Sequence, residues 1–413
     1  MMISEVTQAE QAYVWVWLPG ATEPVVAGRI HKQGNLHHFT YGRRYRERDD
    51  AIAFSPFELP LQSGTFQPEG LNTLHSCLRD AAPDAWGRRV VGYRFPGFNP
   101  DELDYLLLSG SDRIGALDFQ LSSTEYVPRS VEQTELQGLL QAADMVDQRM
   151  PLPADLDIAL LHGTSVGGAR PKALISDEGR AYIAKFSSST DSYDIVKAEY
   201  VAMQLAVKVG LRVASTRLVS VVGKDVLLVE RFDRSGNAGG VQRRMLLSGL
   251  SLLGLNEMEA RYASYHDLAD LIRSAFVEPT QELHELYARL VFNILIGNTD
   301  DHARNHSAFW NGRDLSLTPA YDLCPQMRSG REAGQAMQIG GVQGNLSTLA
   351  NVLSACSIFM LSESEARELI EHQIAVVEDS WMETCDLAGL GIVERERLWG
   401  AAIFNPFCFE GWR

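Results

Sequence analysis

The chain has 413 residues, 37 basic against 53 acidic, with a formal net charge of −16, 45% apolar and 22% charged residues. That length predicts two or three domains with a sizeable core, and the composition excludes disordered, collagen-like and coiled-coil classes. The acidic balance excludes broad, non-specific nucleic-acid binding, which rests on neutralising phosphates, so a DNA role would need a local patch or a basic partner.

In chain order, Tyr13-Val14-Trp15-Val16-Trp17-Leu18 is aromatic and β-branched and predicts a strand closed by Pro19-Gly20. Helical patterning follows around Leu71 to Val91 and again from Leu103 to Leu108. The polar segment Tyr126 to Leu156, with Pro128, Pro151 and Pro153, predicts a helix-containing linker. A glycine-rich stretch from His162 to Lys172 precedes two strands, Ala173 to Ile175 and Ala181 to Phe186, joined by Ser176-Asp177-Glu178-Gly179. A helix is expected from Tyr193 to Val209, stopped by Gly210, then strands at Arg217 to Val222 and Val226 to Val229. Beyond Ser264 the pattern is helical. Leu283, Leu286, Leu290, Val291, Ile294 and Leu295 share one helix face, and Ser362-x-x-Glu365 is a capping box.

A β-rich lobe followed by a helical lobe is the architecture this predicts. Met1-Met2-Ile3-Ser4-Glu5 has no secretory pattern, and no run approaches the ~18 apolar residues of a membrane span. Cys77, Cys324, Cys356, Cys385 and Cys408 are dispersed, without a Cys-x-x-Cys pair. Reduced thiols in a cytoplasmic, soluble chain are expected.

Three segments carry chemistry together. In Asn298-Thr299-Asp300-Asp301-His302-Ala303-Arg304-Asn305 an aspartate precedes an asparagine by five residues, the spacing of a phosphotransfer loop. Asp300 would accept a hydroxyl proton and the Asn305 oxygen would ligate magnesium. Leu317-Thr318-Pro319-Ala320-Tyr321-Asp322 reads as a strand ending in a second magnesium ligand, Asp322. Lys185 lies on a strand, and Glu199 falls in the apolar stripe of the next helix with Val196, Met203, Ala206 and Val207. A carboxylate there needs a cation, as in the lysine–glutamate pair that positions nucleotide phosphates; an edge-strand lysine and a solvent-reaching glutamate is the alternative. Gly167-Gly168-Ala169-Arg170-Pro171-Lys172 follows neither familiar phosphate-loop spacing, although paired glycines let amides approach an anion.

Two patterns point elsewhere. His302 and His306 sit four apart as zinc ligands can, but Ala303 stands where a metalloprotease has glutamate, so His302 is expected to brace the loop as a hydrogen-bond donor. Arg43-Arg44-Tyr45-Arg46 is followed at once by Glu47, Asp49 and Asp50, which predicts a solvated turn.

These motifs, in this order, resemble the HipA family of bacterial toxin–antitoxin serine/threonine kinases across nearly the whole chain. Ser165-Val166-Gly167-Gly168-Ala169-Arg170-Pro171-Lys172 resembles the family's loop, and Val229-Glu230-Arg231-Phe232-Asp233-Arg234 its hinge, whose backbone would hold adenine. Thr299 to Asn305 resembles the catalytic loop and Leu317 to Asp322 the metal-binding strand. Asp84-Ala85-Trp86-Gly87-Arg88-Arg89 and Asp112-Arg113-Ile114-Gly115-Ala116 resemble the first domain. The resemblance implies an α+β, protein kinase-like two-lobed fold preceded by a small strand-rich subdomain. The expected boundaries are 1–125 for that subdomain, 126–156 for the linker, 157–236 for the N-lobe and 237–413 for the C-lobe.

It also implies ATP and Mg2+ as cofactors and autophosphorylation on Ser165. The implied nucleotide contacts are the glycine loop, Lys185, Glu199, Glu230, Arg231, Phe232, His302, Asn305, Tyr321 and Asp322. A HipB-like helix-turn-helix antitoxin is the implied partner, with operator DNA bound through it and a protein substrate such as an aminoacyl-tRNA synthetase. A small-molecule kinase, or a non-catalytic partner in an operator-bound repressor, are the alternatives. The intact Asp300, Asn305, Asp322 and Lys185 disfavour the second of these.

Overall fold

The computed structural model describes residues 9–129, 135–153, 156, 160–161, 165, 167–237, 240–328, 330 and 332–413. The chain forms two compact units. One comprises Met1–Thr190, Ser220–Leu247 and Phe309–Arg313, and the other Asp191–Val219, Ser248–Ala308 and Asp314–Arg413.

In the first unit the aromatic run becomes β1 (Gln11–Val16), which pairs antiparallel with β2 (Val25–Gln33). β3 (Leu36–Tyr41) and β4 (Leu117–Gln120) complete a sheet of order β3-β2-β1-β4. Its alternation buries Ala12, Val14 and Val16 together with Ile30, Phe39 and Phe119. The helical stretch expected over Leu71 to Val91 is broken. Ser76–Arg79 is a short helix, and α1 (Ala85–Arg94) begins separately. Pro83 explains the break, because it has no amide to donate and disfavours helical backbone at Ala82. α2 (Glu102–Leu108) opens with Asp101 and Asp104 in a reciprocal capping box and buries four leucines.

Within the stretch expected to be a linker, α3 (Leu136–Asp147) packs on β5 (Lys172–Asp177) and buries Leu139, Leu140, Ala143 and Val146. β5 and β6 (Arg180–Lys185) form a hairpin, and β6 pairs on its other side with β7 (Lys224–Glu230). The hairpin turn is Glu178-Gly179, both with positive φ, 49° and 78°. That backbone matches the right-handed twist of the flanking strands.

The second unit is mainly helical. α4 (Ile195–Lys208) is capped by the Asp194 side chain, ends before Gly210 and packs on α7 (Glu363–Leu387). α5 (Tyr265–Ala275) and α7 both pack on α6 (Pro279–Leu295). The stripe on α6 is fully buried, from Leu283 to Leu295, and the Ser362–Glu365 box opens α7. Among the described residues no helix is long and apolar enough to cross a membrane, and all five cysteines are free and buried.

Candidate active site

The second unit contains the acidic loop. α6 ends at Leu295, and Gly297, at φ 67°, turns the chain where a Cβ would strike the Ala402 carbonyl. Asn298 donates its amide to Asn293 Oδ1 at 3.0 Å and to the Asp322 carbonyl at 3.5 Å, so the helix end and the Asp322 segment meet at one side chain. Asp300 is exposed. Asn305 is buried and donates Nδ2 to the Asp300 carbonyl at 3.3 Å, closing the five-residue loop on itself.

The strand expected to run to Asp322 is shorter than that. It spans Leu315–Leu317 and gives way at Pro319, after which Ala320 donates to the Arg212 carbonyl at 2.7 Å. Asp322 itself is left-handed, at φ 61°, a strained backbone for a non-glycine residue. Tyr321 fastens this segment to the loop: its hydroxyl donates to the Arg304 carbonyl at 2.7 Å and lies 2.6 Å from Ser307 Oγ.

Sequence spacing did not indicate how the loop is braced. Asp301 is 2% exposed, accepts the Tyr265 hydroxyl, and lies 3.1 Å from His306 Nε2. Tyr265 and His306 also stack edge to face, with ring centroids 5.5 Å apart. The brace is therefore His306. His302 was expected in that role, but its Nδ1 is buried without a hydrogen-bond partner among the described residues. A carboxylate placed next to the exposed Asp300 was the available signal.

The first unit contains the glycine loop and the lysines. His162 to Thr164 and Val166 lie outside the described residues. Ser165 is fully buried and donates to the Gly110 carbonyl at 3.1 Å. Gly168 is at φ 104°, and a Cβ there would meet Lys172 Nζ, which donates to the Gly167 carbonyl. Arg170 is half-buried, while Gly167 and Ala169 are exposed, and buried Pro171 accepts the Phe186 amide at 3.0 Å. Lys172 and Lys185 are direct cross-strand partners in the β5–β6 register.

The hinge segment is differently built. Glu230 ends β7 and pairs with Arg180 at 3.2 Å, and the Arg231 amide donates to the Ala181 carbonyl at 2.8 Å. The Arg231 side chain turns inward to Asp233 and Asp112, at 2.8 and 2.9 Å, and donates to the Arg113 carbonyl at 2.5 Å. Arg234 joins the same two carboxylates. Burial opposes charge on Asp112 and Asp233, yet the facing guanidiniums hold both carboxyls below the usual carboxylate range. Phe232 stacks edge to face on Phe309 at 5.8 Å. Lys185 is half-buried in this unit; Glu199, in the other, is 5% exposed on α4.

The HipA-like C-terminal domain family matches residues 164–381, and the HipA N-terminal domain family matches residues 16–120. The chain belongs to the HipA family. The serine/threonine-protein kinase toxin HipA of Shewanella oneidensis is 27% identical over 242 residues, 52% of this chain and 54% of that protein. The Sinorhizobium fredii protein Y4mE is 32% identical over 147 residues, 34% of this chain and 33% of that one. The matched segments thus span about a third to a half of these relatives. A chain in the solved complex of Shewanella oneidensis HipA, HipB and operator DNA superposes with a TM-score of 0.70 at 18% identity, over 96% of this chain and 97% of that one. The fold is the α+β, kinase-like fold of HipA.

Proposed function

We propose that this HipA-family chain is an ATP-dependent protein serine/threonine kinase and the toxin of a toxin–antitoxin pair. The observation that carries the reading is the stitching of two acidic segments into one site. Asn305 closes its loop on the Asp300 carbonyl, Asn298 bonds the Asp322 carbonyl, and the Tyr321 hydroxyl joins the two stretches. Asp300, exposed between Thr299 and buried Asp301, would accept the substrate hydroxyl proton.

The donor set suits magnesium. Asn305 commits Nδ2 to the loop, which leaves Oδ1 as a hard oxygen, and Asp322 supplies a carboxylate. Bound magnesium would neutralise charge on the transferring phosphates. Lys172 and Lys185 on one sheet face would hold those phosphates, and the Glu230–Phe232 backbone would meet the adenine. Ser165 would be the autophosphorylated residue. A HipB-like antitoxin is the proposed partner, supported by family membership and by the complex in which the matching fold was solved. The substrate would be a protein of the translation machinery, such as an aminoacyl-tRNA synthetase.

The decisive experiment incubates the purified chain with radiolabelled ATP, magnesium and a cell extract. Label on protein that disappears with Asp300→Asn supports the reading. Label confined to small molecules would make it a metabolite kinase, and no transfer with intact ATP binding would leave a scaffold.

A further inference from the structure

The short helical segment Glu257–Tyr262 lies in the second unit and takes no part in the chemistry proposed above. It shows two large apolar side chains to solvent, Met258 at 77% and Tyr262 at 61% exposed. Single exposed apolar residues ordinarily need no explanation. These two differ in how firmly their segment is fastened to the acidic loop. At its start, Glu257 accepts from Arg304 of that loop at 2.5 Å. Just past its end, Tyr265 donates its hydroxyl to Asp301, the neighbour of Asp300. A third tie runs through Ala336 and Gln338, whose amides donate to the Thr299 and Ala263 carbonyls at 3.1 and 3.2 Å. The segment is thus held to the loop on both sides of Asp300.

The segment is also stiff in itself. The Asn256 side chain accepts the Met258 amide at 3.0 Å, and Glu259 accepts the Asn256 amide at 3.0 Å. The Arg261 guanidinium donates to the Tyr262 hydroxyl at 3.0 Å and lies 4.9 Å from the ring centroid. An exposed tyrosine held in this way has already lost much of the freedom that binding would cost it. Met258, four residues earlier, supplies a side chain that adapts to varied apolar shapes. On this segment and the loop, the carboxylates of Glu257, Glu259 and Asp300 outnumber the guanidiniums of Arg261 and Arg304. The surface therefore complements a ligand that is apolar and basic.

We propose that Met258 and Tyr262 are specificity-determining residues for the protein substrate. They take an apolar side chain of the polypeptide whose hydroxyl meets Asp300, and a basic residue lies on its flank. The proposal rests on the kinase reading and adds to it the class of sequence the enzyme selects.

The test uses the full chain with magnesium, radiolabelled ATP and a library of serine peptides randomised around the acceptor. The wild type should select an apolar residue at one position, with lysine or arginine beside it. Against the peptide so selected, Tyr262→Ala should raise KM about tenfold, the low end for an apolar contact in specificity, and Met258→Ala should raise it less. The kcat should hold within about twofold. Tyr262→Phe keeps the ring and should restore most of the affinity, while Tyr262→Asp should exchange the apolar preference for a basic one at the same position. A purely structural role would move none of these preferences. A wild type without an apolar preference, or a Tyr262→Ala chain with unchanged KM, overturns the proposal and leaves the kinase reading standing. A fall in kcat at unchanged KM also overturns it, because the segment would then serve the loop and not the substrate. If Tyr262→Ala does not fold, Met258→Ala and Tyr262→Asp decide. If no peptide is labelled, the same variants are compared on a cell extract at limiting concentration, where protein labelling should fall in Tyr262→Ala and equal labelling overturns the proposal. Label on no peptide and no protein defeats the kinase reading and this proposal with it.

Discussion

The segment Arg231–Arg234 and the acidic loop Asp300–Asn305 are both short, charged and rich in motif residues, yet they use charge in opposite ways. In the hinge every charge is spent inward. Arg231 and Asp233 have side chains 0% and 3% exposed and share partners with Asp112 and Arg234. In the loop one aspartate is buried and its neighbour is left out. Asp301 is fixed by Tyr265 and His306, while Asp300 faces solvent. A motif aspartate is thus fixed or left exposed according to whether the fold supplies it with partners.

That contrast predicts separable losses, and the largest falls in the hinge. Asp233→Ala leaves Arg231 and Arg234 buried without a main counter-charge, and removing one partner of a buried pair costs about 3–5 kcal/mol. Chemical denaturation should show the first unit strongly destabilised. Acid should reproduce part of this. The folded pKa values of Asp112 and Asp233 lie below the unfolded value of about 4. Their stabilisation is therefore present above that pH and is lost as pH falls through the folded values. An Asp233→Ala chain that retains wild-type stability would show that the ion network is not what holds the hinge.

Asp300→Asn is the opposite case. The side chain is exposed, so the melting temperature should stay within a degree or two, whereas phosphotransfer should fall ~100-fold or more because an amide cannot take the proton. Near-native turnover would move the base elsewhere. Tyr265→Phe lies between the two. It removes a donor from the buried Asp301 carboxylate and should cost about 1–3 kcal/mol in stability, measured by thermal unfolding, while leaving Asp300 and its proton chemistry in place. A loss of activity without a loss of stability would contradict the division drawn here.

Local features were legible in the sequence. The β5–β6 hairpin and the α7 capping box depend on neighbours within a few positions. The misses are contacts between distant positions. Tyr265 and Asp301 are 36 residues apart, Asp84 and Gly168 are 84 apart, and Asp112 and Arg231 are 119 apart. Periodicity marks which face of an element is buried, but it does not name the partner of a buried charge. That is why His302 was expected to act where His306 does. The strand before Asp322 was overextended for a related reason: the segment is held by Arg212 and Tyr321, not by a ladder of its own.

The smallest effect tests whether the proposed phosphate-binding face can be separated from the turn that builds it. Glu178 sits at φ 49° beside Gly179 at φ 78°, a two-residue turn in which both central residues are left-handed. A residue with a Cβ is disfavoured there by roughly 1–2 kcal/mol relative to glycine, and asparagine tolerates that backbone better. Glu178→Asn creates the Asn-Gly pair preferred in such hairpins and should raise stability by up to about 1 kcal/mol. The register that sets Lys172 opposite Lys185 lies at the far end of the same two strands, paired through Leu174 with Ile183. Tightening the turn should therefore leave that register, and the affinity for ATP, unchanged. A change in ATP affinity without a gain in stability would mean that the turn shifts one strand against the other by a residue, which would put the two lysines on opposite faces of the sheet.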